Sequence, residues 1–289
     1  MRMSNRNKDI ISNTLVLSIG SFVPKLLSML TVPILTTYLS KTELGQYDLI
    51  ASVILFVIPV ITLQIEQGAF RFLLSAKTEE EKSGYITGAF AYVLGVSGVT
   101  GAAAAVIMGF ARLDPVLILS IVLVLILEAV YKLAGQVVRG RRRSLTYSLG
   151  AVVYSAVYML LMVGLVYWLR LGMLGVLWAT AGGYLASSLY MLASGKTYRY
   201  LDRSQLSAEH IRRLLRFSIP IVPSSISLWV INFLDRIVIV AALGAEMNAV
   251  YSVATKISQL YTALYGIFTM AWTETAASSC RKVSSFAAV

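Results

Sequence analysis

The chain has 289 residues, 57% of them hydrophobic and 13% charged, a formal net charge of +11 and a mean hydropathy of +0.75. Average soluble domains carry about a quarter charged residues, so this composition excludes an ordinary soluble protein. Apolar runs of about twenty residues match a bilayer-crossing helix, and without strand-like alternation they predict an all-α, polytopic membrane protein rather than a barrel.

The pattern predicts about eight transmembrane helices: Ile10 to Tyr38, Leu49 to Gln67, Tyr85 to Phe110, Val116 to Val138, Leu145 to Trp168, Leu174 to Ala193, Phe217 to Leu243, and Ala249 to Trp272. In the first, Thr14, Ser18, Ser21, Lys25 and Ser28 share one helical face. Pro24 stands four residues after Gly20, so its ring clashes with that carbonyl and predicts a kink. Arg2, Arg6 and Lys8 before this run, with Ser18-Ile19-Gly20 within it, outline a signal peptide. The apolar stretch continues well past that point, which favours a span.

The third and sixth spans carry small residues at helical spacing, Gly101, Ala105 and Gly109, and Gly175, Ala179 and Gly183, which predict close-packing faces. In the fourth, Glu128 precedes Lys132 by one turn, the favourable order for an ion pair, and Gln136 and Arg139 continue the stripe. The seventh opens with Pro220 and Pro223, which predict a bent helix, then carries Ser218, Ser225 and Asn232 at seven-residue steps. Arg236 follows with Asp235 beside it as its nearest carboxylate. In the eighth, Ser252, Thr255, Gln259 and Thr262 share a polar face, with Lys256 next to it.

The connections are too short for a catalytic domain, and no glycine loop with the setting needed to cradle a phosphate is present. The reading is therefore no enzyme and no cofactor. The lone Cys280 excludes a disulfide framework within the chain. The lone His210 makes no metal site by itself. Lys and Arg crowd the N-terminus and alternate loops: Arg71, Lys77 and Lys82; Arg139 and Arg141 to Arg143; Lys196, Arg199, Arg203, Arg212, Arg213 and Arg216; then Arg281 and Lys282. The intervening loops hold Lys41, Arg112 and Arg170. By the positive-inside rule both termini are cytoplasmic, in the cell membrane, and the basic excess calls for no nucleic acid. In the connection before the seventh span, Ser207 is positioned to cap a short helix. Its Ile211, Leu214 and Leu215 are expected to face the membrane while its arginines reach lipid phosphates.

Lys25, Lys132, Arg236 and Lys256 lie inside spans, where an ionised group costs about 2.5–3.5 kcal/mol on insertion scales. Such residues usually face water or a substrate path. With Glu128, Asn232, Asp235 and Gln259 they predict a hydrated, net-basic cavity suited to an anionic group such as a diphosphate.

The chain resembles the polysaccharide-export flippases, of the O-antigen and teichoic acid exporter type, in the multidrug/oligosaccharidyl-lipid/polysaccharide exporter superfamily. The resemblance rests on Gly20, Lys25, Pro33 and Leu44-Gly45-Gln46-Tyr47, then Gly68-Ala69-Phe70-Arg71-Phe72, then Phe217 to Pro223 with Asp235-Arg236 and Tyr251-Ser252. It implies two six-helix lobes around a cavity with alternating access, and cargo carried on a polyprenyl diphosphate. It implies the bilayer and a lipid-linked oligosaccharide as partners, and leaves room for contacts with polysaccharide biosynthesis enzymes. On that pattern residues 1–195 form a first lobe, 196–216 a basic amphipathic linker, 217–275 the first two helices of an incomplete second lobe, and 276–289 a cytoplasmic tail. An internal echo at an offset of 204 residues aligns Tyr47 with Tyr251. The family pattern continues to twelve or fourteen helices, so the sequence reads as truncated. Gly20, Pro24, Pro220 and Pro223 become candidate hinges. A cation-coupled drug exporter and a non-transporting fragment stay open; a glycan polymerase or ligase would need larger outer loops.

Overall fold

The computed structural model describes residues 29–255 with Pro24, Leu26, Leu27, Ser258, Tyr261 and Tyr265, the backbone alone being described at 228, 229 and 231–233. The described residues form helices and no strand: α1 Val32–Tyr38, α2 Lys41–Ile61, α3 Ile65–Ser75, α4 Glu79–Phe110, α5 Pro115–Gly140, α6 Ser144–Met162, α7 Gly172–Ser194, α8 Ala208–Ser218 and α9 Val222–Leu243. A further helix, α10, runs over residues 245–255. Among them five segments are long and apolar enough to cross a membrane: α2, α4, α5, α7, and α6 with its π-helical continuation Val163–Trp168. This is an all-α, multi-pass membrane protein.

Local chemistry sets the helix starts. Ser40 accepts from the Glu43 N–H while Glu43 accepts from the Ser40 N–H, a reciprocal cap that starts α2 at Lys41. The apolar pattern alone placed that start at Leu49, and so left Asp48 outside the span. The same pattern ran on to Gln67, but the helix breaks after Ile61, where Leu63 and Gln64 adopt left-handed conformations. Thr78 caps α4, and Asp114, followed by Pro115, caps α5.

At 32 residues, α4 is roughly 48 Å long and outruns the hydrocarbon core. Its first turns, with α3, form the seat for α8. Leu214 is fully buried in the main core cluster and Ile211 and Leu215 pack against it. Leu214 therefore meets protein, correcting the expectation that it meets lipid, while Ile211 and Leu215 stay half-buried at the edge of the contact. A helix this short buries more by docking on α3 and α4 than by lying on a headgroup layer. Ser207 does cap it, accepting from the Glu209 N–H at 3.2 Å. Ile219–Ile221 then forms a 3-10 segment between α8 and α9, with Pro220 inside it and Pro223 in the first turn of α9.

Helices α5, α6 and α7 pack side by side. Ala179 is fully buried, and Gly175 and Gly183 lie against Val166 and Tyr154, as their spacing predicts. In α4 only Gly101 does this, against Val122; Gly109 faces open space and Ala105 is half-buried, so that stripe is not a continuous packing face. Arg141 and Arg143 donate to the Gly195 and Ser194 carbonyls at 2.6 and 3.0 Å, closing the end of α7. His210 packs edge-to-face on Tyr85 at 5.1 Å.

Candidate functional site

Among the described residues, two charged pairs lie within the helical bundle. The first is the expected one on α5: Lys132 Nζ lies 2.9 Å from Glu128 Oε1. Glu66, at the start of α3 beyond the broken α2, is buried, lies within electrostatic reach of Lys132, and accepts from the Thr62 hydroxyl at 3.3 Å.

The second pair corrects the sequence expectation. Arg236 on α9 does not pair with Asp235; it donates to Asp48 Oδ1 on α2 at 2.5 Å and to Ser52 Oγ at 3.1 Å. Neighbouring residues on a helix point about 100° apart, so Asp235 cannot share the face of Arg236. Asp235 instead accepts from the Tyr251 hydroxyl at 3.0 Å.

Asp48, only 8% exposed, is the hub that sequence reading missed. Ser252 Oγ donates to its Oδ1 at 2.7 Å and Asn248 Nδ2 to its Oδ2 at 3.2 Å, the same amide also reaching the Gly45 carbonyl at 3.2 Å. A buried carboxylate that accepts from a guanidinium, a hydroxyl and an amide has its charge compensated on every side. Two features of the sequence carried the signal. Asp48 stands one residue after the quoted Leu44-Gly45-Gln46-Tyr47 run, and the 204-residue offset maps it onto Ser252, its partner.

Backbone approach makes this junction possible. A Cβ placed on Gly45 would lie 1.9 Å from the Ala245 carbonyl oxygen, so only glycine lets α2 and α10 come this close. Beside the hub, a cavity of about 350 Å³ is lined by Pro24, Tyr47, Ser52, Tyr154, Tyr158 and Arg236, among others. Tyr47 and Asp48, neighbours on α2, both border this cavity.

Of the sequence-derived candidates, the structure brings Arg236 to the hub and Glu128 to Lys132. Asp235 lies beside Tyr251, facing away from Arg236. Asn232 lies in α9 with its side chain outside the described residues, and Lys25, Lys256, Gln259 and Gly20 lie outside them entirely. Ser218 is fully buried but belongs to the α8 seat, accepting from the Gly68 N–H at 3.1 Å. Thr255 bonds its own helix through the Ser252 carbonyl. Among the described residues no cluster of His, Cys, Asp and Glu could hold a metal.

The family described as polysaccharide biosynthesis protein matches residues 10–273. The chain belongs to that family. No curated protein matches it. Solved structures share its fold. One is an outward-facing multidrug resistance MATE family transporter of the MOP superfamily, 17% identical with a TM-score of 0.64, over 89% of this chain and 61% of that one. A second is a MOP superfamily transporter from Pyrococcus furiosus, described as having a binding pocket of reverse polarity, 18% identical with a TM-score of 0.64 over the same shares. A third is an inward-facing MATE transporter, 17% identical with a TM-score of 0.61, over 88% of this chain and 60% of that one. This polysaccharide biosynthesis family chain thus spans about three fifths of the length of the transporters it matches.

Proposed function

We propose that the protein moves a lipid-linked oligosaccharide, carried on a polyprenyl diphosphate, from the cytoplasmic to the outer leaflet for cell-surface polysaccharide biosynthesis. It does so by alternating access and performs no covalent chemistry. The observation that carries the reading is the ion pair between Asp48 on α2 and Arg236 on α9, which joins two helices rather than supporting one. Buried pairs contribute little net stability, because desolvation offsets their attraction, yet removing one partner is costly. Such a contact suits a junction that opens and recloses. When α2 and α9 part, Arg236 loses its carboxylate, and a diphosphate is the kind of group that would compensate it. Cargo then lowers the cost of opening.

The contacts between positions 204 apart, Asp48 with Ser252 and Thr42 with Glu246 at 3.5 Å, support reading α2 and α10 as equivalent elements of two lobes meeting at this junction. The crowding of Lys and Arg at the opposite end, around Arg139 to Arg143 and Lys196 to Arg216, supports a cytoplasmic face there and, with it, an outer-side position for the junction. Lys25 and Lys256 complete the basic wall on this reading, with hinges at Gly20, Pro24, Pro220 and Pro223.

The test is export of surface polymer in cells that depend on this chain. Arg236→Gln with Lys25→Gln abolishes export on this reading; normal export would refute it. A second reading, cation-coupled multidrug export, is favoured by the MATE structures that share the fold. It expects the chain to raise drug tolerance in a sensitised host, and expects polymer export to survive both substitutions.

A further inference from the structure

The helices that carry the two ion pairs and their neighbours also carry a set of tyrosines: Tyr131 on α5, Tyr154 and Tyr158 on α6, Tyr184 on α7 and Tyr47 on α2. The rings of the first four form a cluster of stacked and tilted pairs. Tyr154 and Tyr184 stack at 4.7 Å with 24° between planes, Tyr131 meets Tyr184 at 5.1 Å and 39°, and Tyr158 follows Tyr154 at 6.0 Å and 7°. Each of the five is partly exposed rather than sealed in the core. Tyr47, Tyr154 and Tyr158 line the cavity of about 350 Å³ together with Asp48, Ser52 and Arg236. That volume falls in the range of small-molecule sites, roughly 300–1,000 Å³.

The phenolic hydroxyls of Tyr47, Tyr154, Tyr158 and Tyr184 pair with one another and with Thr31 and Thr180, which satisfies them inside the bundle. Tyr154 and Tyr158 also border the cavity from one helix, beside the Asp48 carboxylate and the Arg236 guanidinium. The cavity therefore has an aromatic wall with a polar edge. A pyranose has the matching surface: one face of C–H groups and an edge of hydroxyls. The Tyr154 and Tyr158 ring centroids, 6.0 Å apart, are spaced by a distance comparable to the length of one sugar residue.

We infer that Tyr154 and Tyr158, backed by Tyr131 and Tyr184, form a platform on which neutral sugar rings of the cargo stack, the hydroxyl edge of each ring turned to the polar end of the cavity. The inference rests on the proposed function for the nature of the cargo and adds where its glycan sits. Stacking reads the C–H face that pyranoses share, so the platform tolerates different sugars.

The experiment uses the purified full chain in lipid nanodiscs. It compares binding of two probes: a bare polyprenyl diphosphate and the same carrier bearing a hexose disaccharide. The platform predicts a preference of about tenfold for the glycosylated carrier, the size of one or two aromatic contacts. Tyr158→Leu and Tyr154→Leu each reduce that ratio toward one, and Tyr154→Phe, which keeps the ring, preserves it. Leu160→Ala, on the exposed side of α6, leaves it unchanged. A ratio near one in the unaltered protein, with the bare carrier bound, overturns the platform alone. So does a ratio that survives both leucine variants. If neither carrier binds, the proposed function fails and the platform with it.

Discussion

Of the junctions between the early helices and the later ones, two differ in their balance of polar and apolar contact. At one end of the molecule α2 meets α9 and α10 around Asp48, Arg236, Asn248 and Ser252, with Leu44 and Ala249 in a small apolar cluster beside them. At the other end α3 and α4 hold α8 mainly through Leu214 and the Tyr85–His210 and Phe72–Phe217 edge-to-face pairs, and α4 holds the segment before α8 by hydrogen bonds from Ser83 and Thr87 to the Tyr200 carbonyl. Apolar burial gains free energy roughly in proportion to area and has no geometric threshold, so the second junction resists separation throughout. Ion pairs and hydrogen bonds give little net stability but demand one geometry, so the first junction is either made or lost. On the proposed function, the first junction is the one that opens and the second the one that holds.

The largest way to break the contrast is Asp48→Ala, which strands the Arg236 guanidinium. Thermal unfolding in detergent is expected to show a loss of about 3–5 kcal/mol. Pairing it with Arg236→Met is expected to recover most of that loss, since no buried charge then lacks a partner. No recovery in the double variant would mean that Asp48 matters through Asn248 and Ser252 rather than through the ion pair.

Leu214→Ala attacks the other junction. Emptying a fully buried leucine position costs about 2–5 kcal/mol, and limited proteolysis should then cut within residues 196–207 as α8 detaches. Gly45→Ala is smaller, about 1–3 kcal/mol from overpacking against Ala245. It should reach the polar junction alone, so a cysteine pair bridging α2 and α10 should crosslink less while α8 stays protected. Ser207→Ala removes one helix cap, about 1 kcal/mol, and should raise amide exchange in the first turn of α8 without disturbing α2.

Much of the architecture was legible because the bilayer imposes it. Only helices satisfy backbone groups in hydrocarbon, so apolar runs gave most spans directly, and the Glu128–Lys132 pair followed from spacing along one helix. Boundaries fared worse. The start of α2 depends on the Ser40–Glu43 cap and its end on a left-handed break at Leu63 and Gln64, and apolar periodicity registers neither. The face of α8 was misread for a related reason: an amphipathic stripe states that something apolar covers it, and a bilayer and the α3–α4 surface are equally apolar.

By itself the sequence determined the class, the existence of five of the spans, the basic end and the resemblance to a polysaccharide exporter, because those follow from composition and from order along one chain. It also singled out Arg236 as a residue needing a partner. Only the tertiary structure decided which partner. Asp235 was one residue away and Asp48 is 188 away, and an ion pair is settled by which helical faces meet in three dimensions. The same holds for the tyrosines, which are scattered over four helices in the sequence and form one wall only when α2, α5, α6 and α7 are packed together.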